Sequence, residues 1–408
     1  MPRIGGAALL ALFALALAAR LAAVLRVGLT SVQFGDGPAY LFAARFLATT
    51  GEYPSTTDVG FFRPPGYPAF LVLATLGNPS NVAAAKLAGV LVGALSILIL
   101  VFLSARIFRS RGLAIATGAL AAVNPDFLVV ASDVQSETLF LFLLLAAAFL
   151  LLAAVDRPSS SASLLSGIAL GLAALTRPTA LVFVLLLLAP LLDRRYPRRV
   201  RAHIAGAAVL GFLLAVCPWT LRNAVRFHEF IPVNDAGGRA FYEGNSVWAR
   251  RYYEIGTRAE YARWSVAMDR DIRERLGRLE AAGALSPRGR SRAFARMGVQ
   301  DIRDDPGAAL RLFARKAWQW ARPYPTTWFW PARVVVLVGI FYGALTVLAA
   351  IGLARPERPG VCAFAAAVLV LSLAVHVLII VVWRYRIPFW DPVLILYAVP
   401  GGAKILGR

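Results

Sequence analysis

Residues 135–155 read QSETLFLFLLLAAAFLLLAAV, and after Glu137 the stretch carries no further charge. A helix needs about 20 mostly apolar residues to cross the hydrocarbon of a bilayer. Nothing in that medium hydrogen-bonds a free backbone group, so the stretch must be helical. Similar runs flank it on both sides, at 5–27, 81–105, 112–131, 162–176, 178–192, 202–220, 332–353, 360–382 and 388–403. Together they predict a polytopic, all-α membrane protein with about ten spans. The pair around Thr176, Arg177 and Pro178 can also be read as one kinked hairpin. The first run is read as an uncleaved span rather than a signal peptide, because it is long and similar runs follow.

Composition agrees. Of 408 residues 59% are hydrophobic and 16% charged, with a mean hydropathy of +0.66. The formal net charge of +21 comes almost wholly from arginine. It does not indicate a nucleic-acid partner, because many of the arginines sit in short breaks between apolar runs, where they orient spans. Arg106, Arg109 and Arg111, then Arg157, then Arg194, Arg195, Arg198, Arg199 and Arg201, then Arg355 and Arg358 fall on one side if the spans alternate. That side is expected to be cytoplasmic. The outer, periplasmic or extracellular side then receives 28–80, the 123–134 turn, the long segment 221–331 and the 383–390 turn. The expected organisation is an N-terminal membrane module, 1–220, with a first outer loop at 28–80; a large outer loop, 221–331; and C-terminal spans, 332–408.

The large loop far exceeds a simple connector, so it is expected to be partly folded or functional. Tyr261, Trp264, Met268, Ile272, Leu276 and Leu279 recur every three or four residues and predict a helix over 259–282. Asp304-Asp305-Pro306 signals the start of another, carrying Leu310, Phe313, Ala317 and Trp320. Trp318, Trp320, Trp328 and Trp330 are expected to form a belt at the membrane interface.

Four short segments on the outer side carry chemistry. Phe34-Gly35-Asp36-Gly37-Pro38-Ala39-Tyr40 offers one carboxylate beyond the end of a span, read either as a helix N-cap or as a ligand-facing acid. Arg63-Pro64-Pro65-Gly66-Tyr67-Pro68 presents an arginine on a stiff support, suited to phosphate or to lipid headgroups. Asn124-Pro125-Asp126, Asp133 and Glu137 supply three acids; Glu137 lies inside an apolar helix, where an ionised group is costly and usually functional. Asp126 and Asp133 are also read as ordinary solvated loop acids. Arg384-Tyr385-Arg386-Ile387-Pro388 sets two arginines around a tyrosine at a membrane edge, where they anchor the helix or bind phosphate together with Arg177 and Arg222.

No Walker loop, dinucleotide fingerprint, His-Glu-x-x-His or serine elbow is present. His203, His228 and His376 lack ligand spacing. Cys217 and Cys362 are read as small core residues without a disulfide, and the pairs Gly5-Gly6, Gly237-Gly238 and Gly401-Gly402 as packing or turn residues.

With these segments in order, the chain resembles the membrane glycosyltransferases of the GT-C superfamily, in particular the bacterial protein mannosyltransferase and aminoarabinose transferase group. The resemblance rests on Asp36 with Tyr40, the Arg63 to Pro68 run, Ser136-Glu137-Thr138-Leu139-Phe140, Thr176-Arg177-Pro178, Pro218-Trp219-Thr220-Leu221-Arg222-Asn223, and Arg384 to Pro388. It implies transfer of a sugar from a polyprenyl-phosphate donor to a lipid, glycan or protein acceptor on the outer face of the inner membrane, with inversion. Asp36 matches the first-loop acid that family members use as general base or to coordinate the acceptor. Arg63, Arg384, Arg386 and Arg222 would meet the donor phosphate, with Tyr40, Tyr67 and Tyr385 in support. Asp126, Asp133 and Glu137 form a secondary acidic set for an acceptor or a divalent metal, a cofactor the sequence leaves open. Gly37 stands where protein mannosyltransferases carry Glu, which weighs against a protein acceptor. A secondary transporter, a surface-polysaccharide polymerase or ligase, and a lipid-binding scaffold are the competing readings. The transporter is disfavoured because the charged candidates lie in outer loops rather than at mid-bilayer.

Overall fold

Apolar runs that satisfy their backbones internally must pack as helices, and the computed structural model is helical wherever it is regular. It describes residues 2–33, 35–55, 62–283, 286–354 and 356–406, with no strand among them. Phe34 and Arg355, both part of the sequence expectations, lie outside the described residues.

The first half comprises α1 (Gly6–Val27), α2 (Gly37–Thr50), α3 (Gly66–Ala74), α4 (Val82–Phe108), α5 (Arg111–Ala122), α6 (Pro125–Ala131), α7 (Ser136–Asp156) and α8 (Ser160–Thr176). A 3-10 segment, Pro178–Leu192, follows, and then α9 (Arg198–Phe227). The large loop folds into α10 (Gly237–Asn245), α11 (Val247–Tyr252), α12 (Arg258–Ala281), α13 (Pro287–Asp304) and α14 (Pro306–Ala321). The chain closes with α15 (Ala332–Ala354), α16 (Pro359–Val377), a 3-10 turn at Trp383–Arg386 and α17 (Trp390–Ile405).

Six described helices, α1, α4, α7, α9, α15 and α16, are long and apolar enough to cross a membrane, and the protein is a multi-pass membrane protein. The expected run 112–131 is instead a helix pair, α5 and α6, bent by 52°. Its cause is local: Pro125 cannot continue the ladder, and Asn124 caps α6 by accepting from the Phe127 N–H at 3.0 Å. The runs at 162–176 and 178–192 form shorter elements. In the second, the 3-10 rise of about 2.0 Å per residue lets 15 residues cover roughly 30 Å. The run at 360–382 stops being helical at Val377 and continues as irregular chain to the Trp383 turn.

Small residues set the closest helix crossings, as expected where packing rather than hydrophobic exclusion drives association. A Cβ on Gly167 of α8 would lie 1.8 Å from the Ala208 carbonyl oxygen of α9, and one on Gly211 would lie 2.0 Å from that of Leu164. Gly352 and Gly401 play the same part between α15 and α17, so Gly401 is a packing glycine. The cysteines, both free, differ: Cys217 is exposed on α9 and so is not a core residue, whereas Cys362 is half-buried and packs against the core.

α7 runs from Ser136 to Asp156, so its two ends are about 30 Å apart. At the Asp156 end, Arg106 and Arg358 both pair with that carboxylate, at 2.9 and 2.5 Å. Asp36, Arg63, Glu137, Arg177 and Arg384 gather at the Ser136 end. Over that end lies the large loop, with its own core of Tyr242, Trp248, Met268, Ile272, Leu276 and Phe294. The α12 stripe is as the periodicity predicts, and Thr257 and Glu260 form a capping box at its start. Asp305 caps α14 as its sequence signals. Asp235 joins this loop to the first one, accepting from the Phe62 N–H at 3.1 Å and from Arg290 at 3.3 Å. The tryptophans divide. Trp318 is exposed as an interface residue would be, but Trp320 is buried on Trp390 and Trp328 stacks on Tyr261 at 4.7 Å.

Candidate functional site

Asp36 occupies the N-cap position of α2, yet its side chain makes no capping hydrogen bond. It is spent elsewhere: Oδ1 lies 3.2 Å from Arg63 Nη2, and Oδ2 accepts a hydrogen bond from Arg384 Nη2. Burial alone would favour the neutral acid, but the Arg384 and Arg63 charges outweigh it and hold the carboxyl well below the usual carboxylate range. Arg63 and Asp36 stay partly open, with 33% and 24% of their side chains exposed, so a ligand can reach both.

Each side chain is delivered by a stiff local device. Before Asp36, the Gln33 N–H donates to Asp133 Oδ2 at 2.8 Å, and Asp133 pairs with Lys86 of α4 at 3.6 Å. Lys86 also donates to the Gly28 carbonyl at 2.8 Å, tying the end of α1 into the same clamp. After Asp36, Gly37 leaves no room for a side chain, since a Cβ there would meet Val32 Cγ1 at 2.4 Å and the Val134 carbonyl oxygen at 3.3 Å. A side chain at this place would require Val32 to move.

Arg63 is fixed from behind. The Tyr53 hydroxyl lies 3.0 and 3.1 Å from the carbonyls of Arg63 and Pro64, and Arg222 donates to the Tyr53 carbonyl at 3.1 Å. Gly66 sits so close to the end of α8 that a Cβ would lie 2.7 Å from Thr176 Oγ1. That approach brings the Arg63 segment beside Arg177. Tyr40 lies under the Arg63 guanidinium at 5.5 Å and packs edge-on against Tyr67 at 5.0 Å.

A second acid completes the cluster. Glu137, 1% exposed, is paired with Arg177 Nη1 at 2.9 Å and lies 3.6 Å from Arg384 Nε. Arg177 Nη1 also donates to Ser136 Oγ at 3.1 Å, and Ser136 in turn contacts the Tyr40 hydroxyl at 3.1 Å. Arg384 Nη1 donates to Gln135 Oε1 at 2.5 Å, and Arg177 lies over the Tyr385 ring at 5.1 Å. Three guanidinium groups, Arg63, Arg177 and Arg384, thus face two carboxylates. The surplus positive charge suits an incoming phosphate, which guanidinium forks bind well.

The structure brings together Asp36, Arg63, Glu137, Arg384, Tyr40, Tyr67 and Tyr385. It places the other candidates elsewhere. Arg222 contacts Tyr53 and stacks on Trp219 at 4.9 Å, separated from Asp36 by Tyr53 and Arg63. Asp133 is buried in the Lys86 clamp. Arg386 and Asp126 are both fully buried and face each other at 3.6 Å. Neither Asp126 nor Asp133 is a solvated loop acid. Among the described residues, no group of three or more His, Cys, Asp or Glu side chains stands together as metal ligands. Lys86, Gln135 and Asp391 were not singled out from the sequence. Lys86 and Asp391 had a signal, each being an ionisable residue within an apolar run; Gln135 had none. The large loop meets the chain leading into the Trp383–Arg386 turn through Tyr253, whose hydroxyl accepts from the Val381 N–H at 3.0 Å.

A family model described as dolichyl-phosphate-mannose-protein mannosyltransferase matches residues 63–221. Among solved structures, the apo oligosaccharyltransferase of Archaeoglobus fulgidus is similar with a TM-score of 0.59 at 14% identity, over 98% of this chain and 50% of that one. The same organism's AglB, in complex with an inhibitory peptide and a dolichol-phosphate, gives 0.56 at 14% identity with the same coverage. ArnT from Cupriavidus metallidurans, bound to undecaprenyl phosphate, gives 0.46 at 16% identity, over 98% of this chain and 78% of that one. No curated protein matches the chain. The chain spans about half the length of the archaeal oligosaccharyltransferases it matches.

Proposed function

Because the chain has the fold of the GT-C membrane glycosyltransferases, we propose that it transfers a sugar from a polyprenyl-phosphate donor to an acceptor hydroxyl on the outer face of the inner membrane. The observation that carries this reading is the position of Asp36 between Arg63 and Arg384, in a cluster with more guanidinium than carboxylate groups. A dolichol-phosphate complex of a protein with this fold supports a lipid-phosphate donor.

The donor phosphate takes Arg63, Arg384 and Arg177, which stabilise the charge that develops on it as the glycosidic bond breaks. By competing for the same guanidinium groups, it also loosens their hold on Asp36. The acceptor oxygen attacks the anomeric carbon as the carbon–oxygen bond to phosphate breaks, the bonding pair leaves on polyprenyl phosphate, and the acceptor proton passes to Asp36. One direct displacement inverts the anomeric centre. The large loop, packed through Tyr253 against the chain leading into the Trp383–Arg386 turn, excludes water and meets the acceptor. Gly37, standing where the protein mannosyltransferases carry Glu, favours a lipid or glycan acceptor over a protein one.

The test uses purified protein with short-chain polyprenyl-phosphate sugars and follows release of polyprenyl phosphate. Wild type should release it, and Asp36→Asn and Arg63→Ala should each lose about a hundredfold or more in rate. Equal release by all three would overturn the assignment, and counterflow of a free solute in vesicles would point to transport instead.

A further inference from the structure

Arg384 and Arg386 belong to one 3-10 turn and point to opposite sides of it. Arg384 reaches the Asp36 carboxylate, whereas Arg386 is 0% exposed and enters a buried polar cluster behind the turn. There it lies 3.6 Å from Asp126 of α6 and 3.9 Å from Asp391 of α17, stacks over the Tyr342 ring of α15 at 4.8 Å, and donates to the Arg322 carbonyl at the end of α14. The Tyr342 hydroxyl stands 3.0 Å from both Asn124 Oδ1 and Asp391 Oδ2. Asn124 is itself the cap that starts α6.

Burying a guanidinium and two carboxylates is expensive, and a well-packed apolar set of the same volume is often at least as stable. Stability alone therefore does not explain this cluster. What it does is fix orientation: four separate elements, α6, α14, α15 and α17, meet at Arg386, two residues from Arg384. A short turn has few internal hydrogen bonds, so its direction comes from such outside contacts. A misplacement of about 1 Å at a reacting group can cost a hundredfold in rate.

Building on the glycosyl-transfer reading above, we propose that Arg386, Asp126, Asp391 and Tyr342 are positioning residues that hold the Trp383–Arg386 turn so that Arg384 meets the donor phosphate. Arg386 then never touches the donor; it acts through Arg384. Asp391→Asn is the informative variant, because it leaves Arg386 its Asp126 partner while changing one of the two carboxyl groups that face it. Tyr342→Phe keeps every charge and the ring beneath Arg386, and removes only the hydroxyl bridge.

The experiment measures binding of farnesyl phosphate to the detergent-purified full chain, together with its thermal midpoint. Arg384→Ala should weaken binding roughly tenfold, as expected for a lost charge-assisted contact; unchanged binding there would sink the donor-phosphate reading itself. Given that loss, Asp391→Asn and Tyr342→Phe should each weaken binding several-fold with little change in midpoint. Neither should weaken it further in the Arg384→Ala background, the coupling expected of residues that act through one another. Wild-type binding by both variants, or losses that multiply with that of Arg384→Ala, would overturn the proposal. Failure of both to fold would also overturn it, by making the cluster purely structural.

Discussion

Asp36 and Arg384 are separated by 348 positions in the chain, and Arg384 donates a hydrogen bond to the Asp36 carboxylate. With Arg63 on the other carboxylate oxygen, the acid at the centre of the site is held in its charged form until something competes for its partners. The residue that looks like an ordinary helix cap in the sequence is therefore an ion-pair centre in the fold.

That relationship sets a pH dependence. Burial pushes the Asp36 carboxyl up, but Arg384 and Arg63 bring it well below the usual range. A carboxyl whose folded value is depressed adds stability above its unfolded value, about 3.9, and loses it as pH falls through the folded one. In wild type, kcat/KM for donor turnover should show no acid limb from Asp36 above about pH 4. Arg384→Gln removes the leading opposing charge, so a limb should move up into the measurable range. Superimposable profiles from pH 4 to 8 would contradict this.

Lys316 gives a second, opposite case. It is fully buried in α14, donating to Asn245 Oδ1 at 3.0 Å and to the Val377 carbonyl at 2.8 Å. Burial pushes its ammonium down to about 7. The neutral amine still has two N–H groups, enough for both acceptors. Because the folded value lies below the unfolded one, about 10.4, folding releases a proton in between, and stability should rise with pH from about 7 toward 10. The slope approaches about 1.4 kcal/mol per pH unit in that window. Lys316→Met should flatten it, as thermal midpoints from pH 6 to 9 would show; an unchanged slope would rule Lys316 out as its source.

Gly37 is predicted to be limited by Val32. Gly37→Ala puts a Cβ 2.4 Å from Val32 Cγ1 and should cost about 1–3 kcal/mol through overpacking. Trimming the neighbour in Val32→Ala/Gly37→Ala should recover most of that loss. A double variant as unstable as Gly37→Ala alone would place the constraint in the backbone, at the Val134 carbonyl.

At the α8–α9 crossing no such relief exists, because the nearest atoms are backbone. Gly211→Ala brings a Cβ to 2.0 Å from the Leu164 carbonyl oxygen, so the helices must separate. A fall in thermal midpoint is expected, larger than for Gly206→Ala on the same helix, where a Cβ meets nothing within 4 Å. Equal effects of the two would argue that the helices are not packed this way.

Much of the architecture could be read from residue order. Apolar length located the helices because hydrocarbon leaves the backbone no other option, and the Tyr261 to Leu279 periodicity found α12 because one face of it must be covered. The bend at Asn124-Pro125 was hidden inside what read as one continuous run, although proline and a capping asparagine were both present. Cys217 was misread for a related reason. An apolar run in a membrane has an outward face, and composition does not say which residues lie on it.

The site divides in the same way. Asp36, Arg63, Glu137 and Arg384 stood out singly, as charges at membrane edges or inside apolar helices. The sequence by itself determined that these charges exist at one end of a helical bundle, since burying them in lipid without purpose is too costly. Only the tertiary structure decided their partners. It sent Arg384 forward to Asp36 and Arg386, two residues later, back to Asp126 and Asp391. The reason is geometric: charged side chains act over a few ångströms, and which of them come that close depends on helix crossings, such as Gly66 against Thr176, that no local pattern encodes.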